Sequence, residues 1–271
     1  MPVSHSLADS LARATGAMAF SFPSERRRAV ESNLDRIQGQ ADPGTALAIF
    51  QSYHRFLLEY LAQRSLDARA IDTHFRFRGM ETLYAALERG RGAVVSAPHV
   101  GNWELAGLAT ARLGFRVHVV TGVQFHRRLT GLARLAKEKQ RILVSTPDDG
   151  FRPLLRTLRE SGLVVLLTDG DVFTRSLPTE FFGRRVPFPV GPALLARRSG
   201  AALVHAHAER HPDGDHSVVF DGFDVPRAEL PLREDLARMT QRIAEAQERT
   251  IAAHLDQWCV FRPIFEDRDA A

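Results

Sequence analysis

Short apolar segments alternate with amphipathic segments from residue 92 onward, and this alternation constrains the fold more than any other feature. The apolar segments are GAVVSAP, RVHVVT, RILVS, GLVVLLT and AALVHAHA, which have the length and composition of buried strands. The segments between them repeat apolar residues at helical spacing, and the first has Asn102 as a cap and Gly114 as a stop. Strands that are apolar on both faces and separated by helices predict an α/β fold with a mainly parallel sheet, flanked by helices.

The same periodicity predicts the remaining elements. HSVVFDGFDV, residues 216–225, predicts an extra strand at an edge of the sheet. The predicted helices are Ser24 to about Ile37, 45–63, Asn102–Gly114, 129–139, Pro147–Glu160, 191–200 and 231–255. We therefore expect a single domain over residues 1–271, with a helical N-terminal extension over residues 1–70 and an α/β core over residues 71–271.

Composition limits the class of protein. A hydrophobic share of 44% and a charged share of 25% are typical of soluble globular chains. The single cysteine, Cys259, excludes an internal disulfide bond. No apolar run reaches the roughly 18–20 residues that span a bilayer, and Asp9 makes the N-terminal segment too polar for a signal peptide core. We expect that segment to be a plain helix or a weakly amphipathic one.

The basic residues are almost all arginine. The net charge is +4 and the isoelectric point is about 9.8, while Lys137 and Lys139 are the only lysines. Arginine binds phosphate groups in a bidentate manner, so this preference is compatible with anionic ligands. It is equally compatible with a codon bias toward arginine, and the sequence leaves both interpretations open.

The stretch SAPHVGNWELAG, residues 96–107, holds a histidine and a carboxylate five positions apart. Residues at that spacing do not share a helix face, so if the two side chains meet, His99 must precede the helix and Glu104 must lie in its first turn. Gly101 permits a sharp turn there, and Asn102 can cap the helix. Such a pair can act as a base and its orienting carboxylate. Alternatively, His99 is an ordinary loop histidine and Glu104 an ordinary acid at a helix start.

Several motifs resemble one family in the same order along the chain. HVGNWE, residues 99–104, resembles the HxGNWE motif of the bacterial lipid A biosynthesis acyltransferases, a family that also includes phosphatidylinositol mannoside acyltransferases. LLTDGDVF resembles the family's DQD segment, with Gly170 in place of the glutamine. EFFGRRVPFPVGPALLARRSGA and HLDQWCVFRPIF resemble two later blocks. The resemblance covers nearly the whole chain, although we expect no counterpart of the family's membrane-anchoring N-terminal helix.

This resemblance implies a glycerolipid-acyltransferase-like fold and transfer of an acyl group from acyl carrier protein or coenzyme A to a hydroxyl of a lipid or glycolipid. His99 would be the general base and Glu104 its orienting residue, with no covalent intermediate on Cys259. We expect no cofactor, no metal and no nucleic-acid partner, and a cytoplasmic location on the inner face of the membrane. The residues implied in substrate binding are Asn102, Arg134, Asp169, Asp171, Phe182 and Gly183.

Three other interpretations remain. Asp169 and Asp171 match the Asp-x-Asp pair with which metal-dependent glycosyltransferases hold a divalent ion. The segment HAHAERHPDGDH either holds zinc or forms a solvated hairpin around a Pro-Asp-Gly turn. A non-catalytic lipid-binding protein can also keep this fold. The histidines in question are His205, His207, His211 and His216.

Overall fold

The computed structural model describes residues 5–62, 68–122, 137, 141–169 and 175–265. Within these residues the strands form a seven-stranded sheet and a separate two-stranded hairpin. The strands are β1 Phe75–Arg78, β2 Ala93–Ala97, β3 Val117–Val120, β4 Leu143–Ser145, β5 Leu163–Leu167, β6 Ser176–Phe181, β7 Arg184–Pro189, β8 Ala202–Arg210 and β9 His216–Asp224.

Helices cover both faces of the large sheet and form the N-terminal part of the described chain. They are α1 His5–Ser21, α2 Glu25–Gln38, α3 Pro43–Ala62, α4 Ala68–His74, α5 Met80–Leu87, α6 Trp103–Arg112, α7 Arg152–Arg159, α8 Gly191–Ser199 and α9 Leu232–Ala253. Single turns of 3-10 helix occupy Pro147–Asp149 and Leu255–Gln257.

The large sheet has the order β1-β9-β8-β2-β5-β3-β4, and all neighbouring pairs are parallel except β8 with β9. The predicted α/β class with a mainly parallel sheet is therefore confirmed. The predicted edge position of the segment 216–225 is wrong, because β9 lies between β8 and β1. The edge belongs to β1, whose sequence FRFR alternates half-buried phenylalanines with exposed arginines.

Neighbouring residues of the central strand β2 face the two layers of helices. Val94 packs in a cluster with residues of α7, α8 and α9, such as Leu158, while Val95 packs with residues of α5 and α6, such as Leu105. Both valines are at most 4% exposed. A strand with two buried faces has no polar side for alternation, which explains why β2 and β5 are continuously apolar in sequence.

Two other predicted elements differ from the structure. The predicted helix Pro147–Glu160 is interrupted: Pro147–Asp149 is a 3-10 turn, Gly150 has φ +66, and α7 begins at Arg152. A positive φ is incompatible with a continuous right-handed helix. The predicted helix 129–139 lies outside the described residues, except for Lys137. The hairpin β6–β7 is an addition to the predicted elements.

Candidate active site

His99 lies in the short loop that connects β2 to α6. Within this loop Gly101 has φ +64, and a Cβ atom there would lie 2.5 Å from the carbonyl oxygen of Ala208. Glycine is therefore required both for the backbone conformation and for the close approach to β8. The loop is also fixed to the segment after α9, because the Cys259 amide donates to the His99 carbonyl at 2.8 Å and the Gly101 amide donates to the Gln257 carbonyl at 3.3 Å.

The carboxylate that contacts the His99 ring is Asp169. Ala97 pairs with Leu167 in the parallel register of β2 and β5, so His99 and Asp169 each follow their strand by two residues and face each other. His99 Nδ1 lies 2.6 Å from Asp169 Oδ1. Asp169 Oδ2 accepts from the His99 backbone amide at 2.7 Å and from Trp258 Nε1 at 2.8 Å.

Asp169 is held in its ionised form. Burial of this 2%-exposed residue raises its pKa, but the positive charge of His99 and the hydrogen bonds from His99 and Trp258 outweigh burial, so the net pKa lies below its ordinary value. An ionised carboxylate only accepts hydrogen bonds, so Nδ1 of His99 carries the proton. In the neutral imidazole the lone pair is then on Nε2, which has no hydrogen-bond partner within the described residues. This arrangement leaves a ring nitrogen that can accept a proton, and the predicted role of His99 as a general base remains a prediction.

Glu104 does not have the predicted contact with His99. Its carboxylate accepts from Lys137 Nζ, at 2.9 Å from one oxygen and 2.8 Å from the other. The predicted orienting hydrogen bond to Nδ1 belongs to Asp169, because the register of two neighbouring strands brings that carboxylate to the ring while α6 carries Glu104 to a buried lysine. Any contribution of Glu104 to catalysis remains a prediction.

The Asn102 side chain is buried, and both the oxygen and the nitrogen of its amide make hydrogen bonds within the protein. Its oxygen caps α6 by accepting from the Leu105 amide at 3.0 Å, and its nitrogen donates to Glu59 on α3 at 2.7 Å. These contacts join the helical extension to the active-site loop, and a role of Asn102 in binding substrate remains a prediction. Glu59 is not among the residues predicted from the sequence. Its position as a carboxylate inside the largely apolar helix TALAIFQSYHRFLLEYLAQ could have indicated a buried polar contact.

Glu59 contacts basic side chains on α3, β8 and β9. It contacts Arg55 at 2.8 Å, Arg210 at 3.0 Å and His216 at 3.8 Å. Burial raises the pKa of Glu59, but Arg210, His216 and Asn102 lower it to a net value of about 2. Burial also lowers the pKa of His216 to about 4. The four side chains form a buried electrostatic cluster beneath the loop that carries His99.

An apolar cavity lies between α6 and the sheet. It encloses about 810 Å³, including its opening to solvent, and its walls include Val95, Val119 and Val165 on neighbouring strands. Glu104 and Lys137 lie on its lining together with Trp103. The Trp103 ring stacks on Phe56 at 4.3 Å between ring centroids and contacts the His99 ring edge-on at 4.9 Å. Trp103 is therefore the side chain that links the cavity to the histidine.

The remaining predicted substrate residues lie elsewhere or outside the described chain. Phe182 and Gly183 form the two-residue turn between β6 and β7, with φ +48 and +68, which is the pattern of a tight hairpin turn. The Phe182 amide donates to Glu248 on α9 at 2.5 Å. These contacts give both residues a structural role, and contact with substrate remains a prediction. Arg134 and Asp171 lie outside the described residues.

The structure argues against two other kinds of chemistry, namely metal binding by an Asp-x-Asp pair and nucleophilic attack by Cys259. Both oxygens of Asp169 face N–H donors inside the protein, which argues against metal binding by an Asp-x-Asp pair. Burial raises the pKa of the Cys259 thiol to about 12, so this residue stays protonated and is a poor nucleophile near neutral pH.

The predicted hairpin at HAHAERHPDGDH is present as β8–β9, but three of its four histidines are buried and not solvated, and His211 is half-buried. His205 contacts Asp224 at 2.9 Å and His211 contacts Ser217 at 2.7 Å. His205, His207 and His216 are all less than 9% exposed.

Known proteins are similar to this chain over most of its length. Phosphatidylinositol mannoside acyltransferases from two strains of Mycobacterium tuberculosis are 30% identical over 256 residues, which cover 86% of this chain and 75% of the relative. The protein of the same name from Mycolicibacterium smegmatis is 28% identical over 252 residues, covering 89% and 79%. The family profile described as bacterial lipid A biosynthesis acyltransferase matches residues 1–267. The chain therefore belongs to the bacterial lipid A biosynthesis acyltransferase family.

Proposed function

We propose that this protein transfers a fatty acyl group from a thioester donor to a hydroxyl of a lipid or glycolipid acceptor, with His99 as the general base. The observation that carries this proposal is the geometry of Asp169. Its carboxylate accepts N–H bonds from His99 twice and from Trp258 once, which fixes the ring with Nδ1 protonated and Nε2 available.

In the proposed reaction, Nε2 of His99 removes the proton of the acceptor hydroxyl as its oxygen attacks the thioester carbonyl. The resulting tetrahedral intermediate collapses, the carbon–sulfur bond breaks, and the thiol leaves with the proton that the imidazolium returns. Asp169 stabilises the imidazolium between these steps. No acyl-enzyme, metal or cofactor is required, which agrees with a buried, protonated Cys259.

The apolar cavity is the proposed site of the acyl chain. Its wall of valines on adjacent strands suits a hydrocarbon, and concave, mainly apolar sites of this kind are typical of ligand binding. Trp103 borders the cavity and contacts His99, so a chain bound there would place its carbonyl carbon beside the histidine. The ion pair between Glu104 and Lys137 lies on the same lining and supplies polar groups near that carbonyl.

The acyl donor and the acceptor are proposed as chemical classes, without a single compound being named. Acyl carrier protein and coenzyme A are both anionic and suit an arginine-rich protein. The relatives' names support a glycolipid acceptor, because they are phosphatidylinositol mannoside acyltransferases. Arg134, Asp171 and Asn102 remain proposed contacts of the acceptor, together with Phe182 and Gly183.

We further propose that the protein is peripheral on the inner face of the cytoplasmic membrane and that α1 contacts the lipid. Among the described residues, no helix combines the length and apolar composition needed to cross a bilayer. Leu7, Leu11, Met18 and Phe22 are nevertheless 60%, 47%, 60% and 63% exposed. The first three occupy one face of α1, which suits an interfacial helix.

The proposal is tested by mass spectrometry of host lipids with and without the gene, followed by transfer assays with purified protein. A lipid that gains an acyl chain only when the gene is present identifies the acceptor, and His99→Ala should abolish its formation. A folded His99→Ala protein with near wild-type turnover would contradict the mechanism. Absence of transfer from every thioester donor would favour a non-catalytic lipid-binding protein of the same fold.

A further inference from the structure

Two histidines and a carboxylate that do not belong to the His99–Asp169 pair converge at the end of β8. His207 and Glu209 are two residues apart on this strand, so their side chains share a face of the sheet. His254 follows the last residue of α9 and approaches the same point. One ligand atom from each of the three residues lies within 4.8 Å of the other two.

The distances resemble those of a coordination shell. His207 Nε2 lies 3.1 Å from Glu209 Oε1, and His254 Nε2 lies 3.5 Å from the same oxygen. Ligand atoms at about 2.0–2.1 Å from a tetrahedral zinc ion are separated from each other by about 3.3 Å. The two separations from Glu209 lie on either side of this value, and the two histidine nitrogens lie within 4.8 Å of each other, so an ion would draw the imidazoles closer together.

A second contact of His207 matches the usual surroundings of a metal-binding histidine. His207 Nδ1 lies 2.7 Å from Asp221 Oδ2 on β9, so the carboxylate fixes the ring and directs Nε2 toward Glu209 and His254. A metal-binding histidine commonly donates its other ring N–H to a carboxylate in this manner. Access from solvent is available, because the His254 side chain is 25% exposed and that of Glu209 is 12% exposed.

We propose that His207 Nε2, Glu209 and His254 Nε2 bind one divalent transition-metal ion, with zinc the best match. Two imidazoles and one carboxylate are ligands that suit zinc, cobalt or nickel better than magnesium or calcium. Three protein ligands leave a fourth position for water. In the absence of metal, Glu209 is also approached by Arg78 at 3.7 Å and by His211 at 3.8 Å. These contacts are longer than the one to His207.

The site would fasten parts of the chain that support the active-site loop. Gln257 lies three residues after His254, and its carbonyl accepts from the Gly101 amide at 3.3 Å. Ala208, between the two ligands on β8, has its carbonyl against Gly101. The ion would therefore connect β8 to the end of α9 beside the loop that carries His99. The proposed role is structural, and it concerns the support of this loop and of the cavity, whose lining includes His207.

The test is metal binding by tag-free, EDTA-treated protein, measured by calorimetry with zinc chloride and by the visible spectrum with cobalt. We expect one equivalent of zinc per chain and a higher unfolding temperature with zinc than with magnesium. His254→Gln should remove high-affinity binding, and Glu209→Gln, which keeps a hydrogen bond to His207, should do the same. Asp221→Asn should weaken binding by roughly 10–100-fold.

His74→Gln is the matched control. His74 contacts Asp215 at 2.9 Å, its side chain is 31% exposed, and it lies outside the cluster. Zinc affinity of this variant should equal that of the wild type. Absence of stoichiometric binding by the wild type would overturn the proposal, and so would equal zinc affinities for folded His254→Gln and His74→Gln. Because binding is measured directly, this result does not depend on the transferase activity.

Discussion

Replacement of Asp169 by asparagine tests the proposed mechanism most directly, because the structure dictates how the new side chain must sit. The position of Oδ2 receives two N–H donors, from the His99 backbone at 2.7 Å and from Trp258 at 2.8 Å. An amide NH₂ placed there would face both donors, so the asparagine oxygen must occupy this position. The NH₂ group then faces His99 Nδ1, which has to become the acceptor.

This exchange inverts the tautomer of His99. With Nδ1 accepting, the ring proton moves to Nε2, and the nitrogen proposed to receive the substrate proton is no longer a base. A positioned general base is worth roughly 10²–10⁴-fold in rate, and the equivalent aspartate-to-asparagine change in a serine protease triad costs about 10⁴-fold. We expect a loss of kcat of about 10³–10⁴-fold for Asp169→Asn, or about 4–5 kcal/mol of transition-state stabilisation.

The assay is the rate of acyl transfer under saturating donor, with folding checked by circular dichroism and thermal unfolding. Glu104→Gln is the matched control, since it makes the same carboxylate-to-amide change at the residue that contacts Lys137. The loss of kcat in Glu104→Gln should be much smaller than the loss in Asp169→Asn or His99→Ala. Near wild-type turnover of a folded Asp169→Asn protein would contradict the proposal that catalysis depends on the tautomer of His99 set by Asp169. An equal loss for Glu104→Gln would instead favour the sequence-based prediction that Glu104 orients His99.

Three further predictions concern stability and membrane contact. Burial lowers the pKa of His216 to about 4, below an unfolded value of about 6.5, so the unfolded chain binds more protons between these values. The free energy of unfolding should fall by about 3 kcal/mol as pH drops through this window, and urea titrations of His216→Gln should show a weaker pH dependence. Gly101→Ala should lower the free energy of unfolding by more than about 2 kcal/mol, whereas Gly200→Ala, with φ +74 and open space at its Cβ, should cost less. The protein should sediment with anionic vesicles at low salt, and binding should weaken several-fold in Leu11→Ser but not in the similarly exposed Leu232→Ser. Complete release by salt from wild type and Leu11→Ser alike would assign binding to arginines alone.

The central sheet is predictable from sequence because its strands are buried on both faces. GAVVSAP and GLVVLLT have no polar side, and only a parallel sheet between two helical layers accommodates several such strands. The strand order is not encoded in this local pattern. The strand β1 escapes prediction because FRFR is a four-residue edge strand with two exposed arginines, and it is recognised only through its pairing with His216–Val219. Because the sequence does not predict β1, it places β9 at the edge that β1 occupies in the structure.

The active-site pair shows why a local motif does not identify every partner. Glu104 is five positions from His99, so the sequence predicts it as the carboxylate that contacts the histidine. The carboxylate that makes this contact in the structure, Asp169, is 70 positions away. Parallel pairing of Ala97 with Leu167 makes the distant residue the physical neighbour, because residues at equal distances beyond two paired strands face each other. Four residues of HVGNWE have separate tasks in the structure: His99 faces Asp169, Gly101 allows contact with β8, Asn102 caps α6, and Glu104 pairs with Lys137 at the cavity. The motif is therefore a set of separate structural requirements around one histidine, and the carboxylate that completes the pair lies just beyond the end of another strand, β5.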